Sequence, residues 1–351
     1  MPLTIHFYEP PPRQRVGGLE GAISSLARYL GSAGVRVKRE GQALAADLRE
    51  AGQTLVHFHG LWQPGFLRVS RYCRSARVPY VVSPHGMLEP WARKHKRWKK
   101  WPYFILFERR HLQQAASLLA TSELEAGNLR RFFPNTPIAV IALGLPEEQV
   151  PDYAGARARL QWNPDEKVLL FLSRIHPKKG LELLLKALSN LPHTDFGKVR
   201  LVVVGDGESS YVRIVRALDE SLKGSLPRVD WVGPVWGDKK WCYLQGADLF
   251  CLPSYSENFG LAILEALQVG TPVLTTNQGP WEFLREWNAG YVVDATAVGV
   301  QASLTEFFAA PTWNEQARRD LAEKTRGKFG WETVGPQYLA LYRRLIGSAD
   351  L

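Results

Sequence analysis

Residues 248–267, DLFCLPSYSENFGLAILEAL, form the stretch that decides the fold. The run from Asp248 to Pro253 is short and apolar, which is typical of a buried strand. The residues after Gly260 are rich in Leu, Ile and Ala and predict a helix. A strand, a loop and a helix in this order are the unit from which parallel α/β sheets are built.

Two carboxylates, Glu257 and Glu265, lie eight residues apart around the predicted start of this helix. On one continuous helix they would diverge by about 80°, so we place Glu257 in the loop and Glu265 two turns into the helix. Free backbone N–H groups near Phe259, Gly260 and Leu261 would then lie between them, where they bind phosphate. Carboxylates accept hydrogen bonds from sugar hydroxyls. A diphosphate flanked by two polyols, a nucleotide sugar, is the predicted ligand.

The same alternation of strand and helix runs through all 351 residues and predicts an α/β fold with parallel sheets. We predict a first domain at 1–148, a second at 149–335 and a C-terminal helix at 336–351, with a Pro- and Gly-containing linker at 146–165. In such sheets, ligands bind at the carboxyl ends of the strands. The predicted strands are 3–8, 55–59, 80–83, 117–121, 139–142, 168–172, 199–204, 229–232, 248–253, 271–275 and 290–293.

The chain is basic, with 44 Lys and Arg against 34 Asp and Glu and a net charge of +10, which predicts an anionic partner. Residues 91–104, WARKHKRWKKWPYF, hold six Lys or Arg and three Trp and no acid. Basic residues interleaved with Trp fit an anionic membrane surface. The alternative is a solvated helical face with Trp98 and Trp101 directed at the core.

Other features limit the class of protein. We find no apolar run of about 18 residues, so we expect no membrane-spanning helix, and residues 2–8 fit a first strand better than a signal peptide. Cys73, Cys242 and Cys251 are odd in number and lack metal-ligand spacing. These observations predict a cytoplasmic protein with no dedicated metal site.

Arg174 and Lys179 flank a predicted strand-to-helix turn that Gly180 closes. A guanidinium fork and an ammonium beside a helix N-terminus neutralise a diphosphate, although a lone basic turn would more simply be surface charge. The turn Gly205-Asp-Gly207 also follows a strand, but it lacks the full G-x-G-x-x-G pattern and is a weak indicator of dinucleotide binding.

In the first half, Gly17-Gly18 follows the first strand and favours close backbone approach to a phosphate or an acceptor, with a plain turn as the alternative. His85 lies between Pro84 and Gly86 at a strand end, and this position favours a functional role. His57 and His59 alternate along a strand, and we interpret them as structural.

Taken together, these motifs resemble the retaining glycosyltransferases of family 4, and the resemblance covers essentially the whole chain. It implies the GT-B fold, in which two Rossmann-like, doubly wound domains face each other across a cleft and the C-terminal helix crosses back to the first domain. Asn258 departs from the family pattern, because many relatives have Gly there. This difference affects the part of the loop that would contact the donor sugar. The matching pieces are Gly17-Gly18, Ser83-Pro-His-Gly86, Ser173-Arg-Ile-His-Pro-Lys-Lys-Gly180, Gly205-Asp-Gly207, the two glutamates with seven residues between them, and the terminal helix around 338–345.

The resemblance also implies roles for the donor-binding residues. Glu265 would hold the ribose diol of the nucleotide. Arg174 and Lys179 would neutralise the diphosphate, and the backbone N–H groups of Leu261 and Ala262 would bind it as well. The positive charges would replace a metal ion, so we expect no cofactor beyond the donor, with a UDP-sugar favoured over a GDP-sugar.

On the sugar side, the resemblance implies that Glu257 contacts hydroxyls of the donor sugar and that His85 faces the sugar and the reaction centre. Gly18 would let the first loop approach the donor or the acceptor. The expected reaction moves a hexose, with retention, to a glycan or lipid-linked acceptor in cell-surface polysaccharide synthesis. We therefore expect a cytoplasmic enzyme that associates with the inner membrane face.

Other functions remain open at this point. A nucleotide-sugar epimerase or a phosphorylase could use the same fold, and a dinucleotide oxidoreductase is disfavoured by the incomplete Gly-Asp-Gly turn. A basic nucleic-acid-binding module would explain the charge of +10 but would leave Glu257 and Glu265 unexplained. We therefore do not expect nucleic acid as a partner.

Overall fold

The computed structural model describes residues 3–11, 17–41, 48, 53–91, 101–145, 150, 155–192, 198–310 and 313–347. Most of the basic segment 91–104 and much of the predicted linker 146–165 lie outside these residues. The chain forms two compact units, one of Met1–Glu147 with Lys328–Leu351 and one of Glu148–Gly327. The domain boundaries predicted from the sequence lie after residues 148 and 335, whereas the two units divide after residues 147 and 327.

The first unit contains a six-stranded parallel sheet in the order β2-β1-β3-β4-β5-β6. Edge strand β2 was missed because its sequence, RVKRE, is mostly charged. The strand order reverses between β1 and β3, which makes the carboxyl ends of these two strands the expected ligand-binding point. The strands are β1 Thr4–Tyr8, β2 Arg36–Glu40, β3 Thr54–His59, β4 Tyr80–Ser83, β5 Ser117–Ala120 and β6 Ile138–Val140.

Helices cover this sheet and follow its strands. The sequence Ser122-Glu-Leu-Glu125 predicts an N-cap at Ser122, before a helix with Glu123 and Glu125 in its first turn. The Ser122 side chain accepts a hydrogen bond from the Glu125 N–H at 3.2 Å and so caps helix α4. A π-helical turn, Phe104–Glu108, leads directly into α3. The helices are α1 Gly17–Ser32, α2 Pro64–Ser75, α3 Arg109–Gln113 and α4 Glu123–Phe132.

The second unit contains another six-stranded parallel sheet, in the order β12-β11-β10-β7-β8-β9. Counted from β7, this is the 3-2-1-4-5-6 order of dinucleotide-binding sheets, and it reverses between β7 and β10. Two parallel sheets with flanking helices confirm the predicted α/β fold. The strands are β7 Lys167–Leu172, β8 Val199–Val204, β9 Arg228–Gly233, β10 Leu249–Leu252, β11 Val273–Thr276 and β12 Gly290–Val293.

Helix α9 follows β10 and begins at Leu261, after Gly260 at φ 77°. Glu265 is therefore only about one turn into this helix, rather than the predicted two, because the left-handed Gly260 delays the helix start. A short 3₁₀ turn, Pro177–Lys179, precedes α6. The helices are α5 Ala156–Arg159, α6 Leu181–Ser189, α7 Ser209–Ser221, α8 Asp238–Gly246, α9 Leu261–Gln268, α10 Phe283–Glu286, α11 Ala297–Ala309 and α12 Glu315–Phe329.

The C-terminal helix α13, Trp331–Gly347, belongs to the core of the first unit. Its buried side chains pack with Ile5, Phe7 and Leu55 of the sheet. Trp331 Nε1 donates to the Leu145 carbonyl at 2.9 Å. The helix begins at Trp331, five residues before the predicted start at residue 336, and Pro336 lies inside it. Within the described residues, no helix has the length and apolar character that crossing a membrane requires.

Candidate functional site

Two loops leave the second sheet at the point where its strand order reverses. Residues 173–180 follow β7 and include Arg174 and Lys179, and residues 253–260 follow β10 and include Glu257. Since β7 and β10 are hydrogen-bonded neighbours, the structure brings these two predicted groups to one edge of the sheet. This edge is where ligands of such sheets bind.

Backbone contacts hold the two loops together. The Tyr255 N–H donates to the Lys178 carbonyl at 2.8 Å. Gly180 has a φ of 69°, and a Cβ there would lie 2.1 Å from the carbonyl oxygen of Pro253. Only glycine meets both conditions. The glycine that closes the basic turn therefore allows that turn to approach the acidic loop.

Lys179 and Glu257 form a salt bridge of 2.5 Å between Nζ and Oε2, and their side chains are only 14% and 10% exposed. The Ser254 hydroxyl also donates to Glu257 Oε2, at 3.2 Å. Burial alone would raise the pKa of the Glu257 carboxyl, but the ammonium groups of Lys179 and Lys178 and these hydrogen bonds outweigh it and lower that pKa. Glu257 is therefore a carboxylate at neutral pH, and one that can accept further hydrogen bonds.

Glu265 has a lysine partner of its own. Lys240 Nζ, on α8, lies 2.9 Å from Glu265 Oε1 and 4.5 Å from the ring centroid of Trp241. Sequence reasoning missed Lys240. The available signal was its place in Gly237-Asp-Lys-Lys240, at the start of the helix that follows β9. Glu257 and Glu265, the two predicted carboxylates, thus each face a cation.

The N-terminus of α9 lies between the two carboxylates in the chain. The Ile263 N–H bonds to the Gly260 carbonyl at 2.8 Å, as expected for the first turn. The N–H groups of Leu261 and Ala262 come before any intrahelical acceptor and are directed out of the helix end. The family resemblance implies these two groups for the diphosphate, whereas the sequence pattern alone predicts the N–H groups near Phe259, Gly260 and Leu261.

Buried aromatic packing supports the Glu257 loop from below. Phe259 is buried, and its ring centroid lies 5.5 Å from that of the fully buried Trp281. The Glu257 N–H donates to the Gln278 carbonyl at 2.8 Å. A Cβ at Gly260 would lie 3.0 Å from Glu257 Cγ. A larger residue at position 260 would be strained at the φ of 77° and would press on Glu257, which is why this loop needs its glycine.

Arg174 is exposed, and the loop that carries it is fixed by backbone bonds, including one from the Ile175 N–H to the Asp206 carbonyl at 2.8 Å. A Cβ at Gly205 or Gly207 would lie 1.9 or 2.0 Å from the carbonyl oxygens of the residues before and after Arg174. Close packing against the Arg174 loop therefore explains the Gly-Asp-Gly turn without a dinucleotide.

In the first unit, His85 lies in the turn after β4 with a φ of 51°. Glu125 holds this turn, because its Oε1 accepts from the Gly86 N–H at 2.7 Å while its Oε2 accepts from both the N–H and the hydroxyl of Thr121 at 2.8 Å. The sequence marked Glu125 only as a first-turn helix residue. Its role as the support of the His85 turn comes from tertiary contacts.

His85 is part of a group of three histidines. Its Nε2 lies 3.2 Å from His59 Nδ1, and the two rings are nearly parallel. Burial lowers the pKa of His85 to about 4, so the ring is neutral at pH 7. His57 lies between the hydroxyls of Ser83 and Tyr342, at 2.7 and 2.9 Å. Both His57 and His59 are buried.

Gly18 is the second residue of α1 and is exposed. The preceding residues 12–16 lie outside the described part of the chain. Gly18 and His85 belong to the first unit, and the other predicted site residues belong to the second.

Two family models match the chain. The model described as "Glycosyl transferases group 1" covers residues 153–327, and that of the "Glycosyl transferase 4-like domain" covers residues 5–144. The chain belongs to the group 1 glycosyltransferases of family 4. The two matched segments of this glycosyltransferase lie in the second and first units, respectively.

Among curated relatives, the glycosyltransferase is 32% identical over 243 residues to the D-inositol 3-phosphate glycosyltransferase of Segniliparus rotundus, covering 67% of this chain and 53% of that protein. It is 31% identical over 244 residues to the enzyme of the same name from Rhodococcus jostii, covering 67% and 54%. The chain thus spans about half the length of the curated relatives it matches.

Solved structures confirm the GT-B fold of the glycosyltransferase. Sucrose-phosphate synthase from Thermosynechococcus elongatus matches with a TM-score of 0.79 and 21% identity, over 99% of this chain and 100% of that one. The Anabaena protein HepE, in complex with UDP, matches with a TM-score of 0.75 and 16% identity, over 97% and 100%.

Proposed function

We propose that this glycosyltransferase moves a hexosyl group, with retention, from a nucleoside-diphosphate sugar to a hydroxyl of a glycan or lipid-linked acceptor. A UDP-sugar is the favoured donor over a GDP-sugar. The observation that carries the proposal is the arrangement around α9, where Glu257 and Glu265 stand on either side of the helix N-terminus and each contacts a lysine. The solved complexes of HepE with UDP and with UDP-glucose support the choice of donor.

The donor is proposed to bind along this arrangement. The ribose diol contacts Glu265, whose carboxylate Lys240 already orients. The diphosphate meets the N–H groups of Leu261 and Ala262, because a helix N-terminus attracts anions. Arg174 and Lys179 neutralise its charge from the β7 loop. Their different exposure suits different roles, since the largely covered Lys179 side chain is held by Glu257 and the exposed Arg174 can fold over the ligand.

The reaction breaks the bond between the anomeric carbon and the diphosphate oxygen and forms one to the acceptor oxygen on the same face of the sugar. Negative charge grows on the leaving diphosphate, and a preorganised cation and aligned N–H groups stabilise such charge. The departing phosphate oxygen takes the acceptor proton, so no protein base is required. In this proposal Glu257 binds donor-sugar hydroxyls, and the neutral His85 ring contributes a hydrogen bond rather than a charge.

Nucleotide binding tests the proposal directly. We expect UDP to raise the thermal unfolding midpoint, because a ligand at 100 times its Kd stabilises a protein by about 2.7 kcal/mol. GDP should shift it less at the same concentration. UDP-glucose with a hydroxyl acceptor should then release UDP. A protein that neither UDP nor GDP stabilises would contradict the proposed function.

Metal independence is the next expectation, because Arg174 and Lys179 supply the positive charge that a metal ion provides in other sugar transferases. We expect transfer to continue at full rate after dialysis against EDTA and in its presence. Loss of activity in EDTA that returns on addition of Mg²⁺ or Mn²⁺ would refute this.

The acceptor is proposed from surface chemistry. Four large apolar side chains, one within the basic segment and three directly after it, are 41–68% exposed, and exposed Arg109 and Arg110 follow them. Basic and apolar side chains side by side suit an anionic membrane surface, where lipid-linked acceptors reside. The curated relatives are named for D-inositol 3-phosphate, so this cyclitol phosphate should be tested as an acceptor together with lipid-linked glycans. The four side chains are Trp101, Ile105, Leu106 and Phe107.

Vesicle binding measures this surface. We expect sedimentation with vesicles containing phosphatidylglycerol at low salt, reduced several-fold by the double variant I105S/L106S and by 0.5 M NaCl, since salt screens surface charge. Neutral phosphatidylcholine vesicles are the control. Equal sedimentation of wild type and variant would show that these side chains do not contact the membrane.

A further inference from the structure

A buried acidic group in the first unit is not used by the proposed reaction. The Glu108 side chain is 1% exposed, and its Oε1 accepts from the Trp62 N–H at 2.8 Å. Its Oε2 is buried and, among the residues the structure describes, has no hydrogen-bond partner. The buried Tyr103 hydroxyl is in the same situation within that part of the chain. Two polar atoms left unpaired in this way are costly, and such atoms indicate a missing third group.

The π-helical turn brings these two side chains together. The Arg109 N–H bonds to the Phe104 carbonyl, five residues back. This spacing places residues five apart on one face of the turn, as Tyr103 and Glu108 are, whereas an α-helix would separate them by about 140°. The Tyr103 pKa is raised to about 12 by burial and by the Glu108 carboxylate, which also indicates that the groups are close. Single π-helical turns occur frequently at functional sites.

The pair lies at the ligand-binding edge of its sheet. Trp62 follows β3, next to the reversal of strand order between β1 and β3. The neighbouring Leu61 N–H contacts Met87 Sδ at 3.2 Å, two residues after His85. The Trp62 backbone has a φ of 68°, a conformation that costs free energy for a residue with a side chain. Glu108 thus holds a strained residue beside the His85 turn.

We propose that Tyr103, Glu108 and Trp62 form a subsite for a hydroxyl-bearing ring of the acceptor. A sugar hydroxyl donates to Glu108 Oε2 and accepts from the Tyr103 hydroxyl, so one group satisfies both unpaired atoms. The half-buried Trp62 ring offers an apolar face to the C–H groups of the ring. This inference rests on the proposed function, because it assigns an acceptor to the unit that carries His85.

Burial raises the Glu108 pKa to about 7, so both protonation states are populated at neutral pH. A hydroxyl can bind to either state, by donating to the carboxylate or accepting from the acid. An ammonium group would bind to the carboxylate alone and leave the Tyr103 hydroxyl unable to donate. A neutral hydroxyl can therefore satisfy both groups in either protonation state of Glu108.

Ligand-observed NMR tests the subsite. Methyl glycosides of glucose, galactose and mannose serve as probes, with saturation transferred from the protein. We expect at least one of them to bind wild type and to bind the variants Tyr103→Phe and Glu108→Ala at least fivefold more weakly. Glu123→Ala, which alters a side chain that is 74% exposed, is the matched control and should bind like wild type.

Two results would overturn the subsite. The first is that no glycoside binds wild type, which would mean that water alone satisfies the pair. The second is that wild type and Tyr103→Phe bind the glycosides equally well. Tyr103→Phe removes only one hydroxyl, so it tests the subsite even if Glu108→Ala does not fold. UDP affinity, measured on the same samples, should stay within twofold of wild type. If wild type does not bind UDP at all, the proposed function is contradicted, but the result with the glycosides remains valid.

Discussion

Replacing Lys179 with Ala is expected to lower kcat/KM for transfer by roughly 10- to 150-fold, because one charge-assisted contact to the diphosphate contributes about 1.5–3 kcal/mol. The same change removes the ammonium from the 2.5 Å pair with Glu257. Removing one partner of a nearly buried pair costs about 3 kcal/mol of stability, because the remaining charge is uncompensated. We therefore expect Lys179→Ala to impair both activity and folding.

A double-mutant cycle separates the two effects. Glu257→Gln in the Lys179→Ala background removes the uncompensated charge, so it should recover thermal stability without recovering transfer. Arg174→Ala is expected to cost a similar factor in transfer and little stability, since this side chain is exposed. Lys223→Ala, at a side chain 76% exposed, is the control. Transfer by Lys179→Ala or Arg174→Ala within about threefold of wild type would refute the diphosphate assignment.

Glu108→Gln is expected to stabilise the protein at pH 8 by about 3 kcal/mol and at pH 5 by less than about 1 kcal/mol. Burial raises the pKa of this carboxyl from 4.5 to about 7. A carboxyl with a raised pKa favours the folded state most at low pH, and that advantage is lost as the pH rises from about 4.5 to about 7. Gln is neutral throughout and can still accept from the Trp62 N–H.

Thermal unfolding of wild type and Glu108→Gln at the two pH values measures this difference. Glu123→Gln, at an exposed carboxyl on α4, should show the same midpoint as wild type at both. If Glu108→Gln shifted the unfolding midpoint equally at pH 5 and pH 8, the Glu108 carboxyl would not titrate between these pH values.

Local signals in the sequence were sufficient for much of the fold. The apolar run before Pro253 and the glycine at 260 marked a strand and a helix start, and Ser122 marked its own helix. Edge strand β2 escaped because a strand at the rim of a sheet needs few apolar residues, and RVKRE has one. Glu265 is predicted one turn too deep, because the residues alone do not show that Gly260 adopts a left-handed conformation and delays the helix start to Leu261.

The candidate site was predictable where a residue and the local pattern that indicates its role lie in the same loop. Arg174, Lys179, Glu257 and Glu265 follow strand ends, and strand ends can be recognised locally. Lys240 could not be found in this way, since it reaches Glu265 only through the packing of α8 beside α9. Glu125 is similar, because its bond to the Gly86 N–H joins residues 39 positions apart.

The contact between Gly180 and Pro253 divides the site into a part that cannot vary and a part that can. Backbone atoms join the two loops there, so the contact between the loops does not depend on the side chains at neighbouring positions. Side chains such as Tyr255 and Asn258 can be exchanged while the loops stay joined. An engineering library aimed at a new donor sugar would therefore randomise these two positions and leave residue 180 as glycine.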